Sequence, residues 1–210
     1  MARIKGALCR LCRREGVKLF LKGDRCYTDK CSLEKRGYAP GQHGQRRKGK
    51  QSEYSIRLRE KQKAKKIYGI LEAQFRRYFK EASGKPGATG TTLLQLLERR
   101  LDSVVYRTGF APSRLVARQL VRHGHIKVQG RKTNIPSYLV KVGDVITVNE
   151  KSRELGIIKK SIERALDLAR VAPWLTLNQN EFKTSFDRIP EVEEMNLPLQ
   201  AQLIVEFYAR

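Results

Sequence analysis

All four cysteines of the chain fall within its first 31 positions, spaced Cys9-X2-Cys12-X13-Cys26-X4-Cys31. No other feature constrains the local fold as much, because a segment this short has little core and needs a cross-link or an ion to fix it. A Cys-X2-Cys pair brings two thiolates to one ion from a tight turn, and a second pair a short loop later completes a four-sulfur shell. The expected cofactor is therefore one structural Zn2+ held by Cys9, Cys12, Cys26 and Cys31, with no coordination position left for substrate. An iron-sulfur cluster uses the same ligands. Disulfides are the third option, disfavoured in a reducing compartment. Arg10, Arg13, Arg14, Arg25 and Lys30 are expected to favour the thiolates and offset the charge of a four-thiolate zinc.

Charge bounds the partner. The 210 residues carry 44 Lys and Arg against 21 Asp and Glu, a net +23, whereas solubility asks only about 2 to 8 of a small domain. The balance is graded: +11 over residues 1–50, +7 over 51–100, +5 over 101–150 and 0 over 151–210. A polyanion-facing surface is expected in the first three quarters, and an electrically ordinary end is left for protein contacts. No apolar run approaches the ~20 residues of a membrane span. The basic start lacks the apolar core of a signal peptide, so a soluble, cytoplasmic chain is expected.

The middle reads as helices. Arg46, Arg47, Lys48 and Lys50 form a cationic run that resists packing. Gly44-X4-Gly49-Lys50 nearly matches a nucleotide-binding loop, but Gln51 stands where Ser or Thr should be and no apolar strand precedes it, which rejects that reading. Ser52 caps a helix to about Tyr68, stopped by Gly69. Its apolar positions, Tyr54, Leu58, Ala64 and Ile67, are sparse beside Arg57, Arg59, Lys61, Lys63, Lys65 and Lys66, and a helix so polar needs an outside partner. A second helix, about 71–82, sets Leu71, Phe75, Tyr78, Phe79 and Ala82 at core spacing with Arg76 and Arg77 on its flank. A third, from Thr92, carries Leu93, Leu96, Leu97, Leu101, Val104 and Val105 on one face. His43, in the turn-rich run 39–44, suits a loop or RNA contact better than metal ligation.

Pro112 and Ser113 open a further helix that Gly124 ends, with Leu115, Val116, Ala117, Leu120 and Val121 inward. Arg114, Arg118 and Arg122 recur every four residues and form one cationic stripe. A hairpin follows, with a strand His125–Val128 bearing Lys127, a turn at Gln129-Gly130, and Arg131 and Lys132 returning; His123 lies just before it. A later strand covers 145–148. Arg suits bidentate phosphate contacts. Residues 154–169 read as a helix with Leu155, Ile158, Ile162, Leu166 and Ala169 inward. Trp174, Phe182, Phe186 and Ile189 are core anchors, and Glu191, Glu193 and Glu194 form an acidic run. The final LIVEFYAR is a short helix or strand.

The segment SRLVARQLVRHGHIKVQGR resembles the signature of the S-four RNA-binding domain, and ERRLDSVVYRTGFAPSR before it resembles that domain's leading helix and loop. The four-cysteine start, PGQHG at 40–44 and SEYSIRLREKQKAKKIYGI at 52–70 are similar to the bacterial small-subunit ribosomal protein four family, in its zinc-bearing type. This resemblance implies an α+β chain. A zinc-stabilised extension spans 1–45, a mainly helical domain 46–98 plus 171–210, and an inserted module of two helices on a small antiparallel sheet 99–170. It further implies a non-catalytic primary binder of small-subunit (16S-type) rRNA that nucleates assembly by clamping a helix junction. The acidic run would meet small-subunit protein five and so affect translational accuracy, and messenger RNA would be contacted at its entry path. The rival reading is a pseudouridine synthase carrying the same module, suggested by Arg100-Leu101-Asp102. The sequence beyond the module is too short for that catalytic domain, so Asp102 is read as structural. A DNA-binding regulator would need a dimer interface or a major-groove helix, and neither is evident.

Overall fold

A computed structural model describes residues 6–46 and 49–209. The elements run α1 (Leu8–Glu15), a 3-10 turn (Gly23–Tyr27), α2 (Ser32–Lys35), α3 (Glu53–Tyr68), α4 (Glu72–Ser83), α5 (Thr89–Glu98), α6 (Leu101–Thr108) and α7 (Arg114–Arg122). There follow β1 (Ile126–Val128), β2 (Arg131–Lys132), β3 (Val145–Val148), a 3-10 turn (Glu150–Ser152), α8 (Gly156–Asp167), β4 (Leu175–Asn178), β5 (Lys183–Phe186) and α9 (Ala201–Tyr208). Two compact units result, Met1–Leu93 with Leu197–Arg210, and Leu94–Asn196.

In the first unit, local chemistry sets the helix ends. Ser52 Oγ accepts the Ser55 N–H, and Gly69 takes φ +63° to end α3, a conformation that costs glycine nothing. Phe75, Tyr78 and Ala82 of α4 are buried as their spacing requires, while Leu71 stays partly exposed as the residue before the helix. Residues 203–208 are helical and belong to α9, which settles the choice between helix and strand, and α9 lies against α3 with Ile204 fully buried.

The second unit is built on one antiparallel sheet of order β2-β1-β3-β5-β4. The β1–β2 turn is tight because Gln129 and Gly130 both take positive φ, +48° and +74°, the requirement of a two-residue hairpin loop. Residues 171–196, expected with the helical part, belong here instead. β5 pairs with β3 and β4 with β5, so these residues extend the module's sheet. The helix expected from Thr92 is also corrected, for it breaks between α5 and α6. Arg100 is extended (ψ 138°) and bridges to Leu139, while Leu101 N–H donates to Tyr138 O and Val140 N–H to Arg99 O. Ile158 and Ile162 are buried on α8, and Trp174 before β4 and Phe186 at the end of β5 are buried, but Leu166, Ala169 and Ile189 are exposed rather than core.

Candidate nucleic-acid interface

The N-terminal segment brings its cysteines together. Cys9 and Cys12 ride on α1, Cys26 on the first 3-10 turn, and Cys31 precedes α2; all four are free thiols and all line one cavity of about 20 Å³ with Leu8, Leu21 and Leu33. Cys26 Sγ also accepts the Lys22 N–H at 3.4 Å. Burial is the main cause raising the Cys12 and Cys26 thiols. Backbone N–H donors oppose it, and the neighbouring thiolates add to it. The cations expected to favour the thiolates do not prevail. Arg13 is turned to the Tyr38 and Ala39 carbonyls, and Arg10, Arg14, Arg25 and Lys30 are exposed. Among the described residues, no three His, Cys, Asp or Glu side chains stand as a ready metal shell.

Helix α3 departs most from expectation, because every cation expected on it to meet RNA has an acid of its own chain. Arg57 Nε reaches Glu206 at 2.7 Å and its Nη1 reaches Glu53 at 3.0 Å. Arg59 and Lys66 both bind Glu15, whose side chain is 1% exposed. Lys63 meets Glu60 at 2.7 Å, and Lys61 and Lys65 share Glu72 at 3.1 and 2.6 Å. Burial alone would raise the Glu72 carboxyl, but hydrogen bonds from Lys65, Tyr208 and Lys61 bring it down to about 2. The helix thus finds the partner its polarity requires inside the protein.

The arginine stripe is corrected in the same way. Arg118 is 6% exposed and lies 3.3 Å from Asp102, which is 2% exposed and held bidentately by Arg100 at 3.0 and 2.7 Å. Arg114 donates to the fully buried Glu98, which Arg107 also holds, and covers the Tyr106 ring at 4.6 Å. Arg114 and Arg118 therefore turn toward the buried acids Glu98 and Asp102. Arg122 alone of the three is exposed. The enclosure of Asp102 by two guanidinium groups fits its structural reading, as no substrate could approach it.

What remains outward is a small cationic edge. Arg122 and His123 at the end of α7, and Arg131 and Lys132 on β2, are exposed. Lys127 stands directly across the ladder from Lys132, and like charges so placed destabilise a sheet unless an anion lies near. Among the described residues Lys127 has one, Glu150 at 3.3 Å, and Lys132 has no ion pair. The His123 and His125 rings are 6.0 Å apart, and His125 Nδ1 meets Ser152 Oγ at 2.8 Å. Burial, then His123 and Lys132, hold the His125 imidazole below its ordinary value.

Of the cations expected to meet RNA in the first unit, Arg46 and Lys50 before α3 and Arg76 and Arg77 on α4 are exposed. Arg47 and Lys48 lie outside the described residues. A cleft of about 840 Å³ joins Lys50 to His43, Arg14 and the start of α3. Arg14 of α1 also lines this cleft, whereas its place in the sequence pointed only to the neighbouring cysteines. The cleft wall depends on Gly44, where a Cβ would fall 1.8 Å from Ala39 O. In the acidic run, Glu194 binds Arg188 and accepts the Glu191 N–H, whereas Glu191 and Glu193 present exposed side chains.

Two family models match the chain: "Ribosomal protein S4/S9 N-terminal domain" over residues 3–98 and "S4 domain" over residues 99–146. The small ribosomal subunit protein uS4 of Natranaerobius thermophilus is 58% identical over 210 residues, covering all of both chains. That of Thermus thermophilus is 57% identical over 210 residues with the same full coverage. The uS4 protein of Thermodesulfovibrio yellowstonii is 58% identical over 211 residues, again spanning both chains entirely.

Proposed function

Because the chain belongs to the ribosomal protein S4 (uS4) family, we propose that it is a primary binder of small-subunit rRNA that nucleates assembly by clamping a helix junction. It is a structural ribosomal protein and not an enzyme. The observation that carries the RNA reading is the outward set Arg122, His123, Arg131 and Lys132, whose cations gather on one edge with no bonded acid among the described residues. An anion there relieves repulsion that the fold leaves standing. Affinity comes from phosphate neutralisation and specificity from RNA shape, because A-form major grooves are too narrow for side chains to read.

Exposed Glu191 and Glu193 suit a basic neighbour, small-subunit protein five, through which translational accuracy would be influenced. The cleft beside His43 and Lys50 suits messenger RNA at its entry path. One Zn2+ held by Cys9, Cys12, Cys26 and Cys31 would fix the N-terminal segment; the shared cavity and the spacing of the thiols support this. Bound zinc would supply a structural cross-link with no role in reactivity.

The test is a footprint on naked small-subunit rRNA over a salt series, with metal analysis of the same sample. With about 10 phosphates engaged, log affinity should fall against log salt with a slope of about 7 to 9. A flat response, or no protection at moderate salt, would refute the RNA reading; a metal-free folded N-terminus would refute zinc.

A further inference from the structure

The first unit holds a further cavity, of about 760 Å³, walled by α3, α4 and α9. That volume lies in the range that encloses a small organic ligand, roughly 300–1,000 Å³. Its composition is unusual for a gap between helices. Tyr54 on α3 is 55% exposed, its ring braced by Phe207 of α9 at a centroid distance of 5.7 Å. Phe207 is in turn covered by the Lys61 ammonium at 4.3 Å.

The charges around the cavity are not equivalent. Glu72 is saturated by Lys61, Lys65 and the Tyr208 hydroxyl, the last at 2.7 Å. Arg57 is saturated by Glu53 and Glu206. Arg76, exposed on α4 and lining the same cavity, has no ion pair among the described residues. The site therefore offers one open aromatic face and one unclaimed guanidinium within a wall of net positive charge. An aromatic ring bearing a phosphate matches both features at once.

We propose that this pocket takes one unpaired nucleotide of the bound RNA, its base stacked on Tyr54 and its phosphate held by Arg76. The proposal rests on the RNA-binding reading above. An acidic aromatic peptide has related chemistry, but the chain's net +23 favours a polyanion over a single peptide side chain.

The experiment uses the full chain and a small-subunit rRNA transcript, joined by ultraviolet cross-linking and mapped by peptide mass spectrometry. A nucleotide adduct at Tyr54 is expected. Tyr54→Leu should lose it and weaken binding about fivefold or more with an unchanged salt slope, since stacking releases no counterions. Tyr54→Phe should keep the affinity, which separates stacking from any general loss of fold. Arg76→Ala should lower the slope by about one. Steep, tight rRNA binding by Tyr54→Leu with no adduct at Tyr54 in the parent would overturn the pocket and leave the RNA reading intact. Absence of rRNA binding by the parent chain would overturn both. An adduct formed with an acidic aromatic peptide but not with rRNA would overturn it in favour of a protein ligand.

Discussion

Helix α3 and the β1–β2 hairpin invert the ranking their sequences suggest. The helix carries six of the expected RNA-binding cations and neutralises all six with Glu15, Glu53, Glu60, Glu72 and Glu206. The hairpin carries three, and two of these, Arg131 and Lys132, face solvent without a bonded acid among the described residues. Counting cations along a sequence therefore measures electrostatic potential at long range, but not the groups that touch phosphate. Those are decided by where the acids fold to.

The strongest way to break this contrast lies in the core. If Arg118 is an interior residue, then Asp102→Ala removes the shared acid from two buried guanidinium groups and should cost about 3–5 kcal/mol in denaturant unfolding, the usual price of removing one partner from a buried pair. A change under about 1 kcal/mol would mean that Arg118 swings out to solvent, and the stripe would be restored as an interface. Next in size is a comparison on rRNA itself. Arg131→Ala with Lys132→Ala should weaken binding about tenfold or more at moderate salt and lower the salt slope by about two, with the melting temperature unchanged. Lys63→Ala on α3 should weaken binding less than about threefold. Equal losses from the two regions would refute the distinction.

A smaller effect tests whether the acids of α3 hold its cations in solution. The Glu72 carboxyl is lowered in the folded chain to about 2 from an ordinary 4.5. Its contribution to stability is thus complete above pH 4.5 and is lost as pH falls toward 2. Glu72→Gln should remove that part of the acid-unfolding curve while leaving stability near pH 7 to 8 little dependent on pH, as followed by circular dichroism.

Much of this was legible in the sequence where the cause is local. Ser52 and Gly69 bound α3, Ser113 caps α7 through the Val116 N–H, and the four cysteines meet at one cavity as their spacing implies. The break before α6 was not legible, because Arg99 and Arg100 are good helix formers and only hydrogen bonds from residues 136–140 stop the helix there. The strands β4 and β5 escaped for a related reason. Each has four residues, and the sheet that stabilises them includes β3, far back in the chain. The fate of the α3 charges was hidden most deeply. Arg57 finds Glu206 149 positions away, and no periodicity within a helix reports a partner at that separation.

The smallest expected effect concerns the hairpin's own pH dependence, and its sign is diagnostic. In the free chain His125 is held below its ordinary value by burial, His123 and Lys132, while Ser152 faces its Nδ1. The unfolded chain therefore binds this proton more readily, so stability is full above about pH 6.5 and declines as pH falls below it. Bound phosphate reverses the balance, since an adjacent anion favours imidazolium. Lowering pH from 8 to 6 should consequently strengthen rRNA binding, about twofold to fivefold, while weakening the free fold. A double His123→Gln and His125→Gln variant should lose both responses. If affinity and stability instead fell together with pH, the histidine edge would be a structural feature turned away from RNA, and the contacts would have to be sought on the cations of the first unit.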